Sequence, residues 1–344
     1  MRVFILGADG FIGSHLTEKI LRETDWHIVG FDLWKKNLKR LRHPRLTFKK
    51  GDVFKANRWI EQQISESDVV LPLVGVAKPM YYIKKPVWTF ELDFEQNLKI
   101  VRMCVKHKKR IIFPSTSEVY GMNQDKTFKE DESSLVLGPI NKMRWIYSCS
   151  KQMMDRVITA YGQEDALRYT IFRPFNWMGP RLDTFADAKE HSARSITQFF
   201  YDIITNQPVI LVNGGEQKRS FTYIEDALDA LMMIMVNDNE KANGQIFNIG
   251  NPHNHYSIKE LAYMIIEVMK EFKEFKDLSD KAQIITQDGV DFYGTSYEDA
   301  QDRCPNIEKI EEHLGWKPTT TLREMIRKTL SVYRDDYKKG KISG

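Results

Sequence analysis

The sequence predicts an α/β chain: a doubly wound parallel sheet followed by a smaller C-terminal α/β region. Three observations predict it. Short apolar runs bounded by turn residues alternate with longer helical patterns through the first half, a rhythm that puts helices on both faces of a parallel sheet. The first apolar run passes directly into a glycine-rich turn that opens a helix. After Pro174 the alternation loosens, and a second, less regular region begins.

Taken in order, the β-branched and aromatic runs Val3–Leu6, His27–Phe31, Thr47–Lys49, Val69–Leu73, Arg110–Pro114 and Tyr169–Arg173 read as strands. Between them the helical stretches are Phe11–Leu21, Asn57–Ser65, Val87–Lys106 and Ile146–Tyr161. A loop rich in Gly, Pro and Asp, Gly179–Asp187, leads to a helix near Arg194–Thr205. A strand at Val209–Val212 then meets the turn Asn213-Gly214-Gly215. A helix runs from Ile224 through Leu231–Met235, Phe247–Gly250 is a further strand, and Ser257 caps a helix over Ile258–Phe272. The polar end, Asp335–Gly344, is expected to fray. Ligands of such sheets bind beyond the carboxyl ends of the strands, where most of the motifs below fall.

Composition excludes several classes. The 51 basic and 47 acidic residues of the 344 leave a formal charge of +4, too balanced for a general nucleic-acid binder. The densest basic run, Lys106–Arg110, follows a helical pattern, where cations complement the helix dipole. Cys104, Cys149 and Cys304 are odd in number and form no CxxC pair, so neither a disulfide framework nor a zinc site is expected and no metal is predicted. The chain opens directly on a strand, leaving no room for a signal peptide, and no apolar run approaches the roughly 20 residues that span a bilayer. A soluble cytoplasmic protein without membrane or nucleic-acid partners is expected.

The first strand runs into Gly7-Ala8-Asp9-Gly10-Phe11-Ile12-Gly13, with Gly7, Gly10 and Gly13 spaced G-x-x-G-x-x-G. Glycines let the backbone approach a pyrophosphate, and the helix start at Phe11 and Ile12 offers N–H groups and the positive dipole end. Asp32 closes the second strand, where its carboxylate accepts from ribose hydroxyls and disfavours a 2′-phosphate. The expected cofactor is NAD, with Asp52 after the third strand as an adenine-side contact. Residues 1–174 are thus the predicted NAD-binding Rossmann domain, with return segments near 220–250, and 175–344 mainly the substrate-binding region.

Tyr147-Ser-Cys-Ser-Lys151 sets a phenol and an ammonium on one helix face. The lysine is expected to lower the phenol's pKa and make Tyr147 a base near neutral pH. Both residues are expected to face the cofactor too. Pro114-Ser115-Thr116-Ser117-Glu118-Val119-Tyr120-Gly121 follows a strand and places Thr116 to hydrogen-bond a hydroxyl under oxidation. Simple oxidation or epimerisation does not need the Glu118 carboxylate, which suggests chemistry at a neighbouring carbon.

These motifs, with Arg173-Pro174-Phe175-Asn176-Trp177-Met178-Gly179-Pro180 and Arg303-Cys304-Pro305-Asn306-Ile307, resemble the extended short-chain dehydrogenase/reductase superfamily over nearly the whole chain. Within it they look most like UDP-glucuronate decarboxylases, among them the dehydrogenase-decarboxylase domain of the bifunctional enzyme of lipid A aminoarabinose synthesis. The resemblance does not extend to that enzyme's formyltransferase domain, so it implies the chemistry and not the pathway. The resemblance implies Thr116, Tyr147 and Lys151 in oxidation, and Ser117, Glu118 and Arg303 in decarboxylation. It implies Asn176, Arg194 and Arg219 at the nucleotide sugar, with Tyr82 and Tyr297 in the same substrate-binding set. It also implies a homodimer formed through helices on the sheet's flank. Ile210 departs from the pattern, standing where the relative has a lysine near the uridine.

The expected reaction is NAD-dependent oxidation of UDP-glucuronate at C4, then loss of carbon dioxide to a UDP-4-keto-pentose or UDP-xylose. Related 4,6-dehydratases carry Asp-Glu where this chain has Ser117-Glu118, which argues against an ordinary dehydratase. The alternative is another C4-oxidising enzyme that works at C5 or C6 of a UDP-N-acetylamino sugar. It would decarboxylate the uronic acid or convert a 5,6-unsaturated intermediate to a 4-keto-6-deoxy sugar. A non-catalytic nucleotide sensor on the same fold would have lost Tyr147 or Lys151, and both are present. His253-Asn254-His255 reads as loop, Leu231–Met235 as core packing, and Trp177 as a pocket wall.

Overall fold

The computed structural model describes residues 1–76, 78–295 and 298–340. Strands β1 (Arg2–Leu6), β2 (His27–Asp32), β3 (Leu46–Lys50), β4 (Val69–Pro72), β5 (Arg110–Pro114) and β6 (Tyr169–Pro174) join Gln245–Ile249 in one seven-stranded sheet. From one edge the order is Gln245–Ile249, β6, β5, β4, β1, β2, β3, and every pairing is parallel. The order reverses direction between β1 and β4, which leaves a crevice at the carboxyl ends of those strands.

The two-residue period of β1 shows why the sheet is covered on both sides. Val3 and Ile5 enter a core with Leu16 and Ile20 of helix α1 (Phe11–Glu23) and with Leu228 and Leu231 of the helix Ile224–Val236. Phe4 and Leu6 point the other way. They meet Ile60 and Ile64 of α2 (Asn57–Glu66) in a core that also holds residues of two further helical segments. The first of these begins as α3 (Pro79–Lys84) and α4 (Pro86–Phe90), passes through a π-helical turn at Glu91–Gln96, and ends as α5 (Asn97–Lys106). The second is α6 (Trp145–Glu164). All four residues Val3 to Leu6 are fully buried.

A separate core gathers Phe199, Phe200, Leu261, Ile265, Met325, Ile326 and Tyr333 from the helices Ser195–Ile204, Ile258–Met269 and Leu322–Lys338. Ser257 forms the expected cap there, accepting from Glu260 N at 3.0 Å while the Glu260 carboxylate accepts from Ser257 N. A small three-stranded sheet sets Lys218–Ser220 between His255–Ser257 and Asp302–Arg303.

Several expectations need correction. The helix foreseen at Val87–Lys106 is interrupted by the π-helical turn, which widens the coil around Asp93. The end of the chain does not fray from Asp335: the last helix runs to Lys338, where Tyr337 packs edge-on to Phe275 and Lys338 pairs with Glu274. Met233 is exposed, whereas its neighbours Leu231, Ile234 and Met235 fill the core. Arg110 is buried and donates to the Ile234 and Met235 carbonyls, so it complements the end of a helix other than the one preceding it in sequence. No helix among the described residues is long and apolar enough to cross a membrane.

The glycine turn yields the first prediction. A Cβ on Gly13 would overlap the Gly7 carbonyl oxygen, and one on Gly7 would lie 2.8 Å from the Leu73 backbone. Gly13→Ala is expected to destabilise the chain by ~1–3 kcal/mol and to abolish dinucleotide binding, as read by thermal denaturation and calorimetric titration.

Candidate active site

A cleft at the carboxyl ends of the strands is lined by Phe11, Ile12, Thr116, Glu118, Tyr147 and Arg303, among others. Its floor on one side is the glycine turn. Gly7 has φ +81°, its N–H bonds to Phe31 O at 2.8 Å, and α1 starts at Gly10 with no side-chain cap. The first-turn N–H groups of α1 therefore have no side-chain partner and face the cleft. The Asp32 carboxylate accepts from Asp9 N at 2.9 Å and from Trp34 N at 3.2 Å. Burial pushes its pKa up against those hydrogen bonds. Asp9, not singled out from sequence, accepts from Leu38 N at 2.7 Å and from Lys36 N and Asn37 N, which pins the loop after β2. Asp52 is engaged elsewhere, capping Phe54 N at 3.0 Å, and is not part of the cleft lining.

The β5 loop and α6 deliver the reactive groups. Thr116 caps the short helical turn Ser117–Tyr120, accepting from Glu118 N at 3.2 Å, which turns Ser117 and Glu118 toward the start of α6. Tyr147 stacks on Tyr82 of α3 at 4.5 Å between ring centroids and 4° between planes. Burial pushes the Tyr147 phenol far up, Asp93 and Glu118 add to the effect, and the hydrogen bond with Thr116 opposes it. The expectation that Lys151 lowers this pKa is not met in this state of the protein. The Lys151 ammonium is 5.9 Å from the Tyr147 ring centroid, donates to Pro114 O at 3.0 Å, and faces Asp93 at 3.4 Å. Its charge is spent on a carboxylate from another helix.

Glu118 sits in a cluster of charge that the sequence showed only in part. Arg303 Nη1 donates to one carboxylate oxygen, and Arg144 Nη1 lies 2.7 Å from the other. Asp299 in turn lies 2.9 Å from Arg144 and 2.8 Å from Arg219. Burial disfavours the Glu118 carboxylate, but Arg144 and Arg303 outweigh it and hold the pKa at about 2. Arg219 and Arg303 are register partners in the small sheet, which explains how residues so far apart reach one point. Arg144 carried a local signal, three positions before Tyr147 on the start of α6. Asp299 carried none.

Among the other expected residues, Asn176 lines the cleft with φ +39° and donates to Ser220 O at 3.3 Å. Arg194 lines it too, clamped by Asp183 at 3.0 and 3.1 Å and by Leu182 O at 2.5 Å. Ile210 is in the lining, as is Trp177, which also donates to Ile249 O at 2.9 Å. Tyr297 lies outside the described residues. His255 pairs with Asp302, and no group of metal-binding side chains occurs among the described residues.

A glycine cradle facing a Tyr-Lys pair across a parallel sheet defines a dinucleotide-dependent enzyme of the short-chain dehydrogenase class. The chain belongs to the NAD dependent epimerase/dehydratase family, whose model matches residues 3–250; NAD is the cofactor of that family. It is 45% identical to the PbgP3 protein from Burkholderia pseudomallei, over 99% of this chain and 98% of that one, with a TM-score of 0.89. Its fold is also that of UDP-glucose 4-epimerase from Thermotoga maritima (20% identity, 98% and 100% covered, TM-score 0.81). The same holds for UDP-glucuronic acid 4-epimerase from Bacillus cereus in complex with UDP-glucuronic acid and NAD (21%, 97% and 99%, TM-score 0.80).

The arginine pairing fixes a pH dependence. The folded pKa of Glu118 is about 2, below its ordinary 4.5, so its contribution to stability is full above about pH 4.5 and lost as pH falls toward 2. Glu118→Gln is expected to lower Tm near neutral pH, and its deficit against the native chain should shrink progressively below that point. Parallel melting curves across acidic buffers check this; a deficit independent of pH would contradict it.

Proposed function

We propose that the chain oxidises UDP-glucuronate at C4 and decarboxylates the resulting ketone, releasing a UDP-4-keto-pentose, or UDP-xylose where the hydride is returned first. One observation carries the proposal. In the cleft that holds Tyr147 and Thr116, three guanidiniums (Arg144, Arg219, Arg303) face two carboxylates (Glu118, Asp299), an excess of one positive charge among the described residues. A buried excess of that sign suits a substrate that brings a carboxylate beside the carbon being oxidised.

The glycine cradle, the uncapped start of α1 and Asp32 fit NAD, which when bound supplies the hydride acceptor for C4. Tyr147 takes the C4 hydroxyl proton, with Thr116 bonded to the same oxygen. The 4-ketone makes the substrate a β-keto acid. As carbon dioxide leaves, the electrons of the C5–C6 bond spread into the ketone as an enolate, which Tyr147 and Thr116 stabilise by hydrogen bonding. Arg303 orients the C6 carboxylate, and the ionised Glu118 with Ser117 holds the water that delivers the proton to C5. Asn176, Arg194, Arg219, Tyr82 and Tyr297 hold the nucleotide sugar, and the apolar Ile210 alters the uridine end of the site. In this scheme residues 1–174 chiefly hold NAD and 175–344 the nucleotide sugar. The enzyme is taken as a cytoplasmic homodimer formed by the flanking helices; Val87, Trp88 and Met153 are exposed on α4 and α6.

The test follows NADH absorbance and sugar-nucleotide mass together, with purified protein, NAD and UDP-glucuronate. Loss of carbon dioxide with NADH accumulation indicates release of the ketone; loss without it indicates internal return of the hydride. Tyr147→Phe is expected to abolish both signals. Arg303→Ala is expected to lower the rate of mass loss by 10²-fold or more, roughly the weight of one transition-state electrostatic contact. An unchanged mass with NAD and UDP both bound would sink the proposal and redirect it to UDP-N-acetylamino sugars.

A further inference from the structure

Asp93 has no place in the scheme above, yet it is fully buried and sits against the reactive pair. Its Oδ2 accepts from Val76 N at 3.1 Å, while its Oδ1 has the Lys151 ammonium at 3.4 Å as counter-charge. Three features show a built arrangement. The π-helical turn Glu91–Gln96 carries Asp93 inward, and such turns concentrate at functional positions. Position 75 is glycine, where a Cβ would come within 2.6 Å of Asp93 Oδ1 and 3.7 Å of Lys151 Nζ. Lys151 is itself 3% exposed, held from another side by Pro114 O at 3.0 Å and walled by the Phe113 ring at 4.9 Å.

An ion pair that served packing alone would not need to sit beside a phenol that must lose its proton. Groups facing Tyr147 and Lys151 come from every element around them: Asp93 from the π-helical turn, Glu118 from the β5 loop, Tyr82 from α3, Asp155 from α6, and Arg194. Of the two carboxylates that face Tyr147, Glu118 is already neutralised by Arg144 and Arg303. Asp93 is the one whose counter-ion is the catalytic lysine.

We propose that Asp93 is a positioning residue of the oxidation step: its carboxylate holds Lys151 against Pro114 and fixes the balance of charge around Tyr147. The inference rests on Tyr147 being the proton acceptor. Removing the negative charge favours phenolate in two ways, since Asp93 no longer repels it and the lysine's charge is no longer countered.

The test uses the full chain with NAD bound, comparing native protein with Asp93→Asn. Two readings are taken across pH: the acid limb of kcat/KM, and phenolate ultraviolet absorbance, the absorbance of each variant being corrected by its Tyr147→Phe counterpart. Both are expected to move to lower pH by about half a unit or more, roughly a threefold change in acid constant. Unmoved curves, or movement to higher pH, overturn the inference, and a lowered Tm with unmoved curves shows a merely structural pair. Should Asp93→Asn fail to fold, Asp93→Ser gives the same readings with a smaller uncharged side chain. Because the absorbance reading needs no substrate, it decides about Asp93 even if UDP-glucuronate is not turned over. A native protein inactive on every UDP-sugar would instead sink the function proposed above.

Discussion

A carboxylate flanked by two guanidiniums joins stretches of chain that are distant in sequence. Glu118 comes from the loop after β5, Arg144 from the start of α6, and Arg303 from a two-residue strand near the other end. A poorly solvated carboxylate is costly unless paired and hydrogen-bonded, so the three segments stabilise one another only when all are in place. Asp299 extends the demand to Arg219. The consequence is that the cleft cannot exist on the parallel sheet alone. The smaller region supplies Arg303, the second of Glu118's two partners, and Arg219 and Asp299 of the same cleft wall.

The cofactor side obeys a different constraint, set by the backbone. Close approach of the glycine turn to β4 and to α1 leaves no room for a Cβ at Gly7 or Gly13. Asp9 then uses the turn to organise its surroundings, since its carboxylate collects the N–H groups of the loop after β2 while its own N–H reaches Asp32. Two acids one strand apart thus shape the loop beyond β2.

Legibility in the sequence followed the range of the forces involved. The sheet could be read because alternation along β1 and the glycine turn are local, and a local pattern survives without knowledge of partners. Thr116, Glu118, Tyr147 and Lys151 were legible for the same reason, lying within two short windows. What escaped depended on contacts across the fold. The direction of the Tyr147 shift was misjudged because the fold buries the phenol, and Asp93, on another helix, adds to the rise while pairing with Lys151. Arg194 was read as a substrate contact with no hint that Asp183 grips it. The frayed end was expected from polarity, but polarity on one face does not prevent a helix from packing its other face through Tyr333 and Tyr337.

The small sheet gathers its charges apart from the Tyr-Lys pair of α6. Its parallel register sets Arg219 beside Arg303, and two like charges side by side oppose folding. Glu118 and Asp299 relieve part of that repulsion and leave an excess of positive charge at the cleft. Charges held in place beforehand by such pairing need not reorganise when a ligand arrives. Tyr147 and Lys151 are supplied separately, by α6 on the large sheet. The cleft thus draws its paired charges largely from the small sheet and the β5 loop, and its Tyr-Lys pair from the large sheet.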